Sequence, residues 1–138
     1  MLLKTKMFIT IYLFDIRGKS MEDMQQNMDK TAVFVKKGSE LKQAIAPGKL
    51  YKLMIKSHVM EAIISELEPN AESRWYQHEG EEVHYMIKGE MDYIIDERTY
   101  HLKEGDLLWH VSTVKHKSKN TTEKTISYIT IGSPPTFM

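Results

Sequence analysis

Between Tyr76 and Glu90 the chain places His78, Glu82 and His84 at even spacings in a run that alternates as a strand does. Side chains on a strand point to opposite faces in turn. Tyr76, His78, Glu82, His84 and Met86 therefore share one face, and Val83, Tyr85 and Ile87 share the other. Both faces are partly apolar, so neither is marked for solvent. A carboxylate and imidazoles facing an interior cost free energy unless each finds a partner or a ligand. Whatever fold this chain adopts must enclose that polar face and satisfy it.

The 138 residues are enough for one domain with a substantial core. The 19 basic and 19 acidic residues balance. That gives no chain-wide footprint for nucleic acid, and no recognition helix is visible. Cysteine is absent, which removes disulfides and thiolate metal sites and fits a reducing cytoplasm. No apolar run approaches the ~20 residues of a membrane span. Met7–Phe14 follows Lys4 and Lys6 as a signal peptide might, but Thr10 interrupts it and no small-residue cleavage site follows. The expectation is a cytoplasmic protein. Residues 1–30 read as an N-terminal extension or an added edge strand, and residues 31–138 as a single domain.

From Thr31 onward the apolar period is two. Ala32–Val35, Lys49–Ile55, Met60–Leu67, Glu90–Ile95, Thr99–Leu102, Leu107–Val111 and Thr125–Ile131 read as strands, together with the Tyr76–Glu90 run. The segment before Pro47-Gly48 reads as polar connection, and Lys115–Lys124 as a solvated, lysine-rich loop. Short strands with turn signals every eight to twelve residues, and no long helical pattern, predict an all-β sandwich or barrel.

His78, Glu82 and His84 need a complement from elsewhere, and His116, followed by Asn120, is its source. At these residues the chain resembles the cupin superfamily, small jelly-roll barrels of the double-stranded β-helix kind. Its first motif, G-x5-H-x-H-x3–4-E-x6-G, falls on Asn70, Tyr76, His78, Glu82 and Gly89. Its second, G-x5-P-x-G-x2-H-x3-N, falls on Gly105, Val111, Thr113, His116 and Asn120. The resemblance covers about residues 50–132. It implies that His78, Glu82 and His116 hold a divalent transition metal, Fe, Mn, Ni or Zn, with positions left open for a ligand. Tyr76 stands where such proteins place the first histidine. His84 has the parity of the metal set: it is a fourth ligand, a contact for a ligand carboxylate, a proton-transfer group alongside Tyr76, or a hydrogen-bonded interior histidine.

Trp109 reads as core or barrel lining. His110 has the opposite parity, so one of the two faces the cavity. Trp75 is placed to cover the barrel mouth. Arg74, His58, His101, Glu79 and Glu81 read as surface residues. The ending, Thr130–Phe137, together with Gly80–Tyr85, is similar to the effector-binding cupin domain of helix-turn-helix regulators, here without a visible DNA-reading pattern. The resemblance implies a small-molecule-binding protein, a ligand sensor or binding module, with a metal-dependent dioxygenase or isomerase of a small polar metabolite as the alternative. A homodimer is expected, built through residues 7–14 or 31–35, with no nucleic-acid or membrane partner.

Overall fold

The computed structural model describes residues 31–136; the reading of residues 1–30, including the strand at 7–14, lies outside them. Nine strands run in the order β1 (Lys42–Ala46), β2 (Lys49–Lys56), β3 (Glu61–Leu67), β4 (Glu81–Lys88), β5 (Glu90–Ile95), β6 (Arg98–Lys103), β7 (Leu107–Val111), β8 (His116–Lys119) and β9 (Ile126–Ser133). They form a six-stranded sheet, β1-β2-β3-β9-β4-β7, facing a three-stranded sheet, β6-β5-β8. Every strand pairing is antiparallel. Among the described residues no helix is long and apolar enough to cross a membrane.

The turn chemistry follows the sequence. Pro47-Gly48 joins β1 to β2, with Gly48 at φ +71°. Asp96-Glu97 joins β5 to β6 in two residues, and Asp96 takes φ +52°, a conformation short polar side chains tolerate. Asn70 is left-handed as well, at φ +62°. That explains how asparagine stands in a glycine position of the motif. At Gly89, φ is +81° and an added Cβ would lie 2.7 Å from Ile126 Cγ2, so the β4–β5 turn admits no side chain.

Several sequence expectations are corrected. Ala32–Val35 forms no strand, and Phe34 is exposed. Among the described residues no strand pairs with it, and β-branched residues alone do not make a sheet. The connection before Pro47 is β1, paired along its length with β2. Lys115–Lys124 is not all loop: β8 lies inside it and pairs with β5. Its alternation was hidden because Lys117 and Lys119 face outward while His116 and Ser118 are buried polar residues. The Tyr76–Glu90 run is not one strand either. Tyr76 makes an isolated bridge to His116, and β4 begins only at Glu81. The chain thus passes from the small sheet to the large one across residues 77–80.

Two apolar clusters hold the sheets together. Leu67, Met86, Met91, Tyr93, Leu102, Ile126 and Tyr128 form one, and Leu41, Tyr51, Leu53 and Ile63 the other. Asn120 pins the closed end. Its Nδ2 lies 2.8–3.1 Å from the carbonyls of Leu67, Glu68 and Lys124, while Oδ1 accepts from the Thr122 amide and hydroxyl. Deleting that amide strands several buried carbonyls at once. Asn120→Ala is expected to lower stability by about 2–4 kcal/mol in urea unfolding, a loss that Thr122→Ala should reproduce only in part.

Candidate functional site

The two sheets supply the site from opposite sides. Glu82 and His84 come from β4 and His110 from β7, with Tyr128 and Thr130 on β9 beside them. Tyr93 on β5 and His116 and Ser118 on β8 come from the small sheet. Register explains the convergence. Glu82 is paired with His110 across β4–β7, and His84 with Thr130 across β4–β9, so those side chains share the inner face. His78 arrives from the crossing segment just before β4.

Glu82 is the centre. It is buried, and its Oε2 lies 3.2 Å from His116 Nε2, 3.3 Å from His110 Nε2 and 3.6 Å from His84 Nε2. Its Oε1 lies 3.4 Å from His78 Nε2. His84 and His110 approach each other at 2.9 Å between their Nε2 atoms. Burial alone would disfavour the charged carboxylate, but the imidazoles of His110, His116 and His84 hold Glu82 far below the usual carboxylate range. Burial in turn holds His84 below its ordinary value, as a neutral ring.

The other ring nitrogens decide what those Nε2 atoms carry. His116 Nδ1 lies 2.7 Å from the Val114 carbonyl, His110 Nδ1 3.0 Å from the Val111 carbonyl, and His78 Nδ1 3.0 Å from the Glu79 carbonyl. A carbonyl only accepts, so each Nδ1 donates; Nε2 then faces Glu82 either as a donor, in a ring that carries both protons, or as a lone pair open to a cation. Glu82 Oε2 and His78 Nε2 are buried without a hydrogen-bond partner. Lone pairs gathered on a carboxylate with no proton between them repel. The arrangement is satisfied by a cation, and neutral imidazoles with a carboxylate are ligands that suit a divalent transition metal. Two overlapping trios have the spacing to hold one, His78–Glu82–His116 and Glu82–His84–His110. The donor separations of 2.9–3.6 Å span the edges of about 2.9–3.5 Å that metal–nitrogen bonds near 2.0–2.1 Å produce.

Glu82, His84 and His116 form part of the wall of a cavity of about 30 Å³ whose other residues mostly bear hydroxyls: Tyr51, Tyr76, Tyr93, Tyr128, Ser65, Ser73, Ser118 and Thr130. Burial raises the phenols of Tyr51 and Tyr93, and Tyr128 is pushed up to about 12. They are neutral donors near pH 7. Tyr76 stacks on His116 at 6.2 Å between ring centres, and the Arg74 guanidinium lies over the Tyr76 ring at 4.9 Å from its centre.

All the sequence-predicted site residues, His78, Glu82, His84, His116 and Tyr76, border this one interior. Trp109 and His110 were separable only by knowing the register. Trp109, expected in the barrel lining, is instead 54% exposed and donates from Nε1 to Glu81 Oε2 at 3.2 Å, while His110 takes the interior. Strand parity alone shows that one of the pair points inward; pairing with Glu82 decides which. Trp75 is exposed, with Lys115 and Lys117 over its ring, and does not line the cavity. His58 is a surface residue, and so is His101, which pairs with Asp92 and Glu90. The tyrosines and serines of the cavity carry no motif and were not legible in the sequence.

Comparison with known proteins agrees with this architecture. A search of curated proteins found no match. Among solved structures, KdgF from Halomonas sp. superposes with a TM-score of 0.69 at 20% identity, covering 77% of this chain and 96% of that one. The polyketide cyclase RemF from Streptomyces resistomycificus gives 0.64 at 17%, covering 78% and 87%. The cupin domain of an XRE-family transcriptional regulator from Enterobacter cloacae gives 0.60 at 18%, covering 64% and 99%. At these identities the likeness is one of fold. The sequence profile described as "Cupin domain" matches residues 63–132, half of the chain and both halves of the site. With the double-stranded β-helix and the converging histidines already in place, the chain belongs to the cupin family.

Proposed function

We propose that this cupin binds a small polar or anionic metabolite, as a sensor or binding module, at a divalent metal held inside a single domain spanning residues 31–138. Glu82 and His116 hold the ion, with His78 at the rim, and Fe, Mn, Ni and Zn all suit this donor set. The observation that carries the reading is the convergence of imidazole Nε2 atoms on the buried Glu82 carboxylate, whose Oε2 makes no hydrogen bond. When bound, the ion supplies positive charge to an oxygen-bearing ligand. The chain's own residues do the rest: Tyr76, Tyr93 and Ser118 offer hydroxyls from the small-sheet side, and Tyr51, Ser65 and Tyr128 from the large. A cavity of about 30 Å³ takes an ion's waters or one polar head group. The body of a larger metabolite, whose site would need about 300 Å³, then remains in the mouth.

An enzymatic reading has one specific observation in its favour. His84 is fully buried and neutral, yet lies within 3.6 Å of Glu82 and 2.9 Å of His110. That suits proton transfer in a dioxygenase or isomerase, with Tyr76 as the second proton-bearing group. Fold does not choose between the readings, since function belongs to the site. Elemental analysis of untagged protein is expected to give about one equivalent of transition metal per chain, lost in Glu82→Gln and in His116→Gln. Metal-free protein that stays folded and still binds metabolites would overturn the metal.

A second copy is the partner proposed for the outer face of the large sheet, in a cytoplasmic homodimer. Tyr85, Ile87, Leu107, Trp109, Val111 and Ile131 are exposed there. Register makes the face continuous: Val83 sits between Trp109 and Ile131, and Tyr85 is paired with Leu107. Together they expose on the order of 500 Å², the size of the largest, often functional, apolar patch on a typical monomer and most of the roughly 800 Å² per partner of a standard interface. Sedimentation at micromolar concentration should give a dimer, and Leu107→Lys with Trp109→Glu should give a folded monomer. A wild-type monomer would remove this part of the proposal.

A further inference from the structure

Two imidazoles outside the motif pattern also reach the centre, at separations as short as those of the motif set. His84 Nε2, His110 Nε2 and Glu82 Oε2 form a triangle with edges of 2.9, 3.3 and 3.6 Å. All three residues are buried, whereas His78 in the motif trio is only partly so. We propose that His84 and His110 are metal ligands, so that the ion sits on the inner side of Glu82, facing β7 and β9. The inference rests on the reading of the barrel as a metal site and changes which residues hold the ion.

The orientation of each ring supports this. His110 is fixed by its Nδ1–H on the Val111 carbonyl, and His84 Nδ1 lies 2.8 Å from Thr130 Oγ1. Hydrogen bonds of that kind set the tautomer and aim the free nitrogen at an ion. Without an ion, His84 Nε2 would have to protonate and donate to His110 Nε2. That satisfies the pair but leaves Glu82 Oε2 with no donor from either ring. An ion satisfies all three atoms together. The motif trio and the inner trio share Glu82. One carboxylate balances two divalent ions poorly in a buried site, so the trios describe sides of a single ion's surroundings. The inner side also accounts for Tyr76. A neutral phenol is a poor ligand where a motif histidine is missing, and His84 and His110 restore imidazole donors from the opposite direction.

The test uses the full untagged chain, stripped with a chelator and titrated with Co²⁺. In proton NMR of the Co²⁺ form, exchangeable, strongly shifted Nδ1–H signals are expected from His84, His110 and His116. They should be absent in D₂O. His110→Gln and His84→Gln are expected to weaken Co²⁺ binding by ~10-fold or more and to change its visible absorption, with His58→Gln as a silent control. Signals from His78 and His116 alone, or His110→Gln with wild-type affinity and spectrum while Glu82→Gln binds nothing, would overturn the inner seat and leave the metal site standing. Wild-type protein that binds no Co²⁺ would remove both. The NMR count is made on the wild type, so it decides the matter even where a variant folds poorly.

Discussion

A single buried carboxylate, Glu82, sets the terms for the interior of this protein. It stays charged only because the imidazoles of His110, His116 and His84 surround it, and those rings are held in place from behind by carbonyls and a threonine hydroxyl. The second row matters as much as the first. It puts a proton on each outer nitrogen of His110 and His116 and so aims the inner one at the carboxylate. A barrel filled with aliphatic side chains would need none of this. Here the middle of the fold is polar, and stability is left to the apolar clusters around Leu67 and Leu53.

The antiparallel sandwich makes such a centre possible because its two sheets approach it with different chemistry. The large sheet brings the carboxylate and two of the histidines; the small sheet brings His116, Ser118 and Tyr93. The chain crosses between the sheets immediately before β4, so Tyr76 and His78 reach the same interior without belonging to the strand that carries Glu82. The cavity edged by tyrosine, serine and threonine side chains opens against the same cluster.

Much of this could be read in advance, for identifiable reasons. Strands flanked by glycine or proline turns were visible because period-two patterning survives in a single sequence. β8 was not, since its buried positions are His116 and Ser118 and its partly exposed ones are lysines, which inverts the usual apolar signal. Trp109 misled for the opposite reason. A large aromatic suggests a core, yet this one lies on an outer face that is apolar on its own account. The outer face of β4, with Val83, Tyr85 and Ile87, was semi-apolar in the sequence, and the structure joins it to β7 and β9 into one surface.

The sequence by itself determined the fold class and the motif residues His78, Glu82 and His116, because fixed intervals between glycines, histidines and a glutamate encode turns and strand faces. It also determined that His84 points inward, by parity with Glu82. The tertiary structure alone decided that His110 rather than Trp109 joins them, that four tyrosines line the cavity, and which nitrogen of each ring faces the carboxylate. Those depend on which strands are neighbours and on the carbonyl that each ring meets. Neither is written in local spacing, since partners such as Glu82 and His110 come together only through the register of a long-range pair.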